Sequence, residues 1–262
     1  MTVLTQLLAR QRWLAEWLQP VLALRAASRK MALALFLWGL GEGLWLYIRP
    51  LYVTSLGGNP VQVGQVLAMA GLAPVLLMLP AGRLIDRTGP RWLMLLTWWL
   101  GTGAVVLLAL APSWQWLLPG FFLYAMSASS LPAINAYIAR DAQLGDLPGK
   151  NVQTAISTVY AAYFAGTIFS PMIGGWLGQT FGLRTVFWVS AVWFFFSTLT
   201  VMRTPELPWD HVHDAASAGQ ASGSAWWRMS AAQVRIYAVL LVLFLAMSLG
   251  YLLAPAIWSR CA

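Results

Sequence analysis

The stretch WLMLLTWWLGTGAVVLLALA, residues 92–111, decides the class of fold, because none of its side chains is charged. A helix of about 20 apolar residues crosses a hydrocarbon core of about 30 Å. The same bias runs through the whole chain of 262 residues, of which 60% are hydrophobic and only 9% are charged. So few charges cannot cover a water-soluble globule, and so many apolar side chains exclude disorder. The sequence therefore predicts an all-α integral membrane protein.

Working outward from this stretch, six further segments have the length and composition of a membrane span. They lie near 31–54, 61–81, 115–139, 152–178, 184–202 and 236–258. Prolines inside the segments at 115–139 and 152–178 indicate bends, which membrane helices tolerate. The predicted organisation is a basic segment at 1–30, a six-helix bundle at 31–202, a flexible linker at 203–233 and a seventh helix at 234–262. The basic segment is predicted either to lie in the membrane interface or to be a flexible lead-in.

The net charge of +8 is explained by the placement of the basic residues. Membrane proteins keep Lys and Arg on the cytoplasmic side. With a cytoplasmic N-terminus, 13 of the 16 basic residues fall on that side, and only Arg49, Arg184 and Arg260 fall outside. We therefore expect a multi-pass protein of the plasma or inner membrane with its N-terminus in the cytoplasm, and no nucleic-acid partner.

The sequence carries no pattern that indicates an enzyme, a metal site or a cofactor. His211, His213 and Asp214 have no further ligand nearby, so a solvated loop is the better interpretation. The sequence has no Gly-rich phosphate loop followed by Lys and Ser or Thr, and no Gly-x-Ser-x-Gly beside a histidine. The lone cysteine, Cys261, excludes a disulfide scaffold.

The connection between the second and third spans reads GRLIDRTGPR, residues 82–91. It resembles the signature loop of the major facilitator superfamily, G-x-x-x-D-R-x-G-R-[RK], with a proline at position 90 in place of a basic residue. The matching positions are Gly82, Asp86, Arg87, Gly89 and Arg91. The resemblance implies a cytoplasmic gating loop whose charges hold one conformation and release another. The alternative is an ordinary basic turn, in which Gly89 permits a positive φ.

A second pattern, GTIFSPMIGG, occupies residues 166–175 of the fifth span. It is similar to the antiporter motif of that superfamily, which ends in G-P-x-x-G-G. Gly166, Pro171, Gly174 and Gly175 match, whereas Ser157 and Ser170 stand where the family has glycines. Small residues at this spacing let two helices approach closely. The motif is therefore interpreted either as a mark of export or as plain tight packing.

The resemblance covers residues 31–202 and implies the N-terminal six-helix half of a twelve-helix transporter that works by alternating access. We expect a truncated chain whose C-terminal half is missing. The implied function is secondary active transport of a small solute, with proton-coupled export of an amphipathic compound favoured over uptake of a small metabolite. A non-transporting scaffold or accessory subunit is the alternative from another class. The expected partners are the lipid bilayer, a small-molecule substrate, protons and the missing half.

Glu42 is the one acidic residue predicted inside a span. An ionisable group there is costly unless it is neutralised or paired, so Glu42 is the leading candidate for a proton or substrate site. The alternative is a protonated carboxyl group that hydrogen-bonds a neighbouring helix. Trp38, Glu42, Trp45 and Arg49 share one helix face at i, i+4, i+7 and i+11. On a continuous helix Glu42 and Arg49 would be about 10 Å apart, so we expect Arg49 to extend to the outer surface.

The fourth and fifth spans carry further polar side chains. By the resemblance the first and fourth helices line the cavity, so Tyr124 and Asn135 are predicted substrate contacts. The fifth span adds Gln153, Ser157 and Tyr160. Hydrogen bonding between helices is the alternative role of all these groups.

Overall fold

The computed structural model describes residues 19–144 and 152–208, and within these residues every regular element is helical. The helices are α1 (Ala26–Trp45), α2 (Arg49–Ser55), α3 (Pro60–Thr88), α4 (Pro90–Leu110), α5 (Leu117–Met126), α6 (Leu131–Gln143), α7 (Val152–Phe181) and α8 (Leu183–Met202). Short 3₁₀ turns at Trp114–Trp116 and Ser127–Ser130 flank α5. Most of the predicted segment 1–30, the linker beyond residue 208 and the predicted seventh helix lie outside the described residues.

Four helical stretches among the described residues are long and apolar enough to cross a membrane. They are Pro90–Leu110, Trp114–Gln143, Val152–Phe181 and Leu183–Met202, and the pair α1 and α2 makes a fifth when it counts as one span. The predicted spans at 92–111, 115–139, 152–178 and 184–202 differ from these bounds by a few residues. The predicted span at 61–81 lies within α3. The all-helical, multi-pass membrane fold is therefore confirmed.

The prediction that residues 31–54 form one helix is wrong. The helix α1 ends at Trp45, residues 46–48 form a turn, and α2 begins at Arg49 with its axis bent by 49° from that of α1. Pro50 supplies the physical reason. It has no N–H to donate to the carbonyl of Leu46, and its ring clashes with the preceding helical turn.

The predicted loop at 82–91 is also mostly helix. The helix α3 continues to Thr88, and Gly89 alone separates it from α4. Gly89 has φ +80°, a conformation that a residue with a Cβ atom rarely adopts. Pro90 occupies the first position of α4, where a missing N–H has no consequence. The glycine turn was thus predicted, whereas the length of the loop was not.

The fourth span is interrupted in its middle by the 3₁₀ turn Ser127–Ser130, just before Pro132. Three serine hydroxyls in this turn donate hydrogen bonds to carbonyls of their own chain three residues earlier. They join Ser127 to Tyr124, Ser129 to Met126 and Ser130 to Ser127, at 2.6, 2.7 and 2.7 Å. The hydroxyls therefore donate hydrogen bonds to carbonyls of the interrupted stretch, so these carbonyls need no other donor inside the membrane.

The helix α1 packs against α7 on one side and α8 on the other. Serines of α8 fix the second contact, because the Ser190 hydroxyl donates to the carbonyl of Gly41 at 2.8 Å and the Ser197 hydroxyl donates to the carbonyl of Ala34 at 2.6 Å. This arrangement puts the face of α1 that carries Glu42 inside the bundle.

Candidate functional site

A cavity of about 440 Å³ opens beside α1 and is bounded by α4, α5, α6 and α7. Its lining is largely aromatic and includes Trp38, Trp98, Tyr124, Tyr160, Tyr163 and Phe164. Among the lining residues Glu42 alone carries a carboxyl group. A concave apolar site with a few placed polar groups is the usual form of a small-molecule site.

The two oxygens of the Glu42 carboxylate contact different partners, Arg49 and Tyr163. Its Oε1 atom lies 3.6 Å from Nη2 of Arg49. Its Oε2 atom accepts a hydrogen bond from the Tyr163 hydroxyl at 2.9 Å. The side chains of Glu42 and Arg49 are only 16% and 18% exposed. A carboxylate placed among helices is thus compensated by one charge and one hydroxyl.

The expectation that Arg49 extends to the outer surface is wrong. Because α1 ends at Trp45, the chain turns before Arg49, and the helical rise no longer separates Arg49 from Glu42. The guanidinium carbon lies 4.3 Å from the centre of the Trp45 ring, in a cation–π contact. The ring of Trp45 therefore supports the arginine side chain in its turn toward Glu42.

Trp38 forms the wall of the cavity next to Glu42. Its ring stacks on Phe194 of α8, with centroids 4.0 Å apart and an angle of 10° between the ring planes. Trp98 and Tyr124 lie beside it, with centroids 5.2 and 6.1 Å away. Trp98 is held in turn by a 2.9 Å hydrogen bond from its Nε1 to the hydroxyl of Ser197. The wall is therefore a rigid aromatic surface.

Three predicted site residues, Trp45, Arg49 and Asn135, do not line this cavity, although Arg49 reaches its lining residue Glu42. Trp45 is completely buried beyond the cavity, and its ring contacts Phe121, Tyr124 and Phe187. On α6 the cavity is lined by Leu131 and Ile134, and Asn135 is turned away from Ile134 by about 100° around the helix. The Nε1 atom of Trp45 and the Oδ1 atom of Asn135 have no hydrogen-bond partner among the described residues.

Arg91, from the predicted gating loop, binds the end of α8. Its Nη2 and Nε atoms donate to the carbonyls of Met202 and Thr204, at 3.1 and 3.2 Å. Its Nη1 atom lies 2.6 Å from Oε1 of the exposed Glu206. Arg91 therefore caps α8 and fastens the segment that follows it. Gly82 lies in the last turns of α3, and the side chains of Asp86 and Arg87 lie outside what the structure describes.

The glycine motif of the fifth span lies where α7 meets α1. A Cβ atom on Gly166 would lie 2.8 Å from the Leu40 nitrogen, and one on Gly174 would overlap the backbone of Leu44. Among the described residues, Gly175 has no atom of another element within 4 Å of such a Cβ, and Pro171 lies inside a helix that continues to Phe181. The geometry gives Gly166 and Gly174 a packing role and gives Gly175 none.

Two residues of this region were missed by the sequence reasoning. Tyr163 follows Tyr160 by about one turn, and spacing alone does not tell which of them faces α1. Asp141 lies two residues beyond the predicted fourth span, and its side chain is only 2% exposed. Its Oδ2 atom accepts from the backbone N–H and the hydroxyl of Ser28, at 3.0 and 2.5 Å, and its Oδ1 atom lies 3.5 Å from Nε of Arg25. Asp141 thus caps the first turn of α1.

Within the described residues, no group of three or more His, Cys, Asp or Glu side chains is placed to hold a metal ion. The ionisable groups at the cavity are therefore Glu42, its partner Arg49 and the tyrosines of the lining.

A family model described as "Major Facilitator Superfamily" matches residues 31–259. Among curated relatives, the chain is 34% identical over 181 residues to the "Multidrug resistance protein MdtG" of Escherichia coli, a match that covers 65% of this chain and 43% of the relative. It is 29% identical over 156 residues to the "Multi-drug resistance efflux pump PmrA" of Streptococcus pneumoniae, covering 58% and 38%. The matches thus span less than half the length of these relatives.

Solved structures of transporters share the fold. Nucleoside transporter NupG has a TM-score of 0.57 at 14% identity, covering 70% of this chain and 45% of that chain. Peptide transporter POT in complex with sulfate has a TM-score of 0.60 at 16% identity, covering 92% and 50%. At these identities the likeness concerns the fold alone.

Proposed function

The chain belongs to the major facilitator superfamily, and from this premise we propose that the protein is a secondary transporter which exports amphipathic compounds in exchange for protons. The names of the relatives, a multidrug efflux pump and a multidrug resistance protein, support export of chemically varied compounds. The family and the transporter fold support transport rather than catalysis. The observation that carries the proposal is a single carboxyl group, Glu42, at an aromatic cavity inside a membrane-spanning bundle.

In this proposal Glu42 carries the proton. The charged carboxylate holds Arg49 and Tyr163, and a proton on Glu42 removes the charge that attracts the guanidinium. Loading and release of one proton would therefore change the contacts between α1, α2 and α7. A transporter that couples two fluxes needs such a change, because a ligand shifts a conformational equilibrium only through contacts that differ between states.

The aromatic wall supplies the contact surface for the exported compound. Trp38 and Tyr124 present large faces to the cavity, and Glu42 is the one ionisable acid or base among the lining residues apart from the tyrosines. Such a wall binds apolar and aromatic parts of a molecule by stacking and burial of area, and it selects little between shapes. Breadth of substrate is the expected result.

Alternating access in this proposal requires a second helical half, which would close the cavity from the other side. Residues 31–202 form the six-helix unit, 203–233 link it to the second half, 234–262 begin that half, and 1–30 lie at the inner membrane surface. Asp86, Arg87 and Arg91 gate the cytoplasmic side. Basic residues gather at the end of the bundle that holds Asp141, which supports a cytoplasmic location for that end and for the N-terminus in a plasma or inner membrane.

The test is dye movement in lipid vesicles that contain the full-length protein. A pH gradient is imposed, and the movement of a fluorescent rhodamine dye against its gradient is followed. We expect Glu42→Gln to abolish the response to the pH gradient, because the amide side chain of glutamine does not bind and release a proton as a carboxylate does. The control is Gln115→Ala, a change at an exposed side chain that does not line the cavity, which should leave dye movement intact.

The other outcomes separate the alternatives. Dye movement by the Glu42→Gln protein with an unchanged pH response would refute the proton role of this residue. Accumulation of dye on the side opposite to that expected would indicate an uptake permease. Absence of movement in the unmodified protein would favour the scaffold.

A further inference from the structure

Tyr163 reaches Glu42 from a different helix than either Glu42 or Arg49. We propose that Tyr163 is a positioning residue whose hydrogen bond to the Glu42 carboxylate sets the proton concentration at which Glu42 is loaded. This inference rests on the proposed function, in which Glu42 carries the proton. It adds a residue that neither the family motifs nor the polar positions of the fifth span single out.

The backbone fixes where the phenol ring of Tyr163 can be. A Cβ atom on Gly39 would overlap the carbonyl of Tyr163, and one on Gly166 would lie 2.8 Å from the Leu40 nitrogen. The helices α1 and α7 are thus in backbone contact at Gly39 and Leu40, next to Tyr163. Gly39 precedes Glu42 by about one helical turn, so the contact places the ring level with the carboxylate. The backbone contact therefore places Tyr163 within reach of Glu42, and its hydroxyl forms the 2.9 Å hydrogen bond.

The two oxygens of Glu42 are not held equally. Tyr163 binds Oε2 at hydrogen-bond distance, whereas Arg49 lies at 3.6 Å from Oε1, a separation that allows attraction but no short hydrogen bond. The other titratable groups that line the cavity around Glu42 are Tyr124 on α5 and Tyr160 on α7. Tyr163 makes the 2.9 Å hydrogen bond to the carboxylate, and the hydroxyl of Tyr124 also interacts with Glu42.

The sign of the effect follows from the chemistry of the bond. An apolar cavity favours the neutral acid, and a donor to the carboxylate favours the ionised form. Loss of the Tyr163 hydroxyl therefore lets Glu42 take up its proton at a lower proton concentration. Hydrogen bonds to charged groups are strong enough to move such an equilibrium on the order of tenfold.

Tyr160 offers a matched control. It lies on the same helix, lines the same cavity and makes no hydrogen bond within the described residues. Tyr160→Phe removes one hydroxyl from the cavity, as Tyr163→Phe does, but it leaves the hydrogen bond to Glu42 in place. A difference between Tyr163→Phe and Tyr160→Phe therefore reports the hydrogen bond and not the loss of a hydroxyl in general.

The experiment is a pH titration of the full-length protein in lipid vesicles by infrared difference spectroscopy, which detects the carbonyl stretch of a protonated carboxylic acid. The band of Glu42 is assigned by its loss in Glu42→Gln. We expect Tyr163→Phe to move the midpoint of this band to about tenfold lower proton concentration, and Tyr160→Phe to leave it in place. Replacement of Tyr163 by 3-fluorotyrosine, a stronger donor of nearly the same size, should move the midpoint the opposite way and provides the test if the phenylalanine variant fails to fold.

Equal midpoints in Tyr163→Phe, Tyr160→Phe and the unmodified protein would overturn the inference, and so would an unmoved midpoint with 3-fluorotyrosine. The readout requires no transport, so it remains informative if the dye experiment gives no movement. A displaced midpoint together with unchanged dye movement by the Glu42→Gln protein would retain the hydrogen bond and reject the proposed proton coupling.

Discussion

The Arg49 guanidinium lies 3.6 Å from the Glu42 carboxylate across a break in the first membrane span. The pair therefore joins two helices whose axes are bent by 49° and does not stabilise a single helix face. Each partner is more than four-fifths buried, so removal of one leaves the other in an apolar setting.

Arg49→Gln should destabilise the protein by about 1–3 kcal/mol, because it leaves the Glu42 carboxylate without its charge partner. Glu42→Gln in the same background should restore part of this loss, since no buried charge then remains. Thermal unfolding in detergent, followed by circular dichroism, measures all four members of the cycle. If the two changes add without interaction, the pair contributes nothing to the stability of the bend.

Gly174→Ala should destabilise the bundle by about 1–3 kcal/mol, because the new methyl group would overlap the backbone of Leu44. The neighbouring change Gly175→Ala is its control, since a Cβ atom there meets no atom of another element within 4 Å. Unfolding temperatures of the two variants provide the comparison. Equal destabilisation by both would mean that the seam between α1 and α7 is not packed as described.

Asp141→Ala should lower stability by about 2–4 kcal/mol, because it removes a buried carboxylate that accepts two hydrogen bonds from Ser28. Glu206→Ala also removes a carboxylate beside an arginine, but that side chain is 80% exposed. A surface pair contributes only about 0–1 kcal/mol. Chemical denaturation of the two variants in detergent checks the contrast, which is lost if both changes have the same effect.

Trp38→Leu should weaken binding of a fluorescent amphipathic dye about tenfold, since stacking area next to Glu42 is lost. Trp99→Leu removes a tryptophan that is 45% exposed on the outside of the bundle, and dye affinity should remain as in the unmodified protein. Equilibrium binding by fluorescence anisotropy gives both constants, and the unfolding temperature of each sample controls for damage to the fold. Unweakened binding by Trp38→Leu would exclude the aromatic wall as the binding surface.

The features that the sequence predicted well are those determined locally. Apolar length is a property of each segment alone, so the span predicted at 92–111 became the helix Pro90–Leu110. The turn at Gly89 was predicted for a similar reason, because a positive φ is a demand on one residue. The extent of α3 was not predicted. The charged residues at 83–87 suggest a loop, but they lie within the helix, which ends at Thr88.

The contacts of the site depend on the path of the chain and were predicted less well. Pro50 was a signal of the break before α2, but its consequence for Arg49 appears only when the turn at 46–48 is placed in space. The choice between Tyr160 and Tyr163 is made by the close approach of α1 and α7 at Gly39. Asp141 carries no sequence signal that distinguishes a buried cap from a solvated charge at the end of a span.

The serine turn at Ser127–Ser130 interrupts the fourth span at a place where serine hydroxyls of the same segment satisfy the backbone carbonyls. Three hydroxyls bond to carbonyls of their own chain, so flexing at this point exchanges partners inside one segment and exposes no bare carbonyl to lipid. These three carbonyls therefore need no hydrogen-bond donor from a neighbouring helix or from water. A tilt of one half of this span against the other half would therefore leave its carbonyls hydrogen-bonded, whereas a continuous helix would have to break backbone hydrogen bonds in lipid.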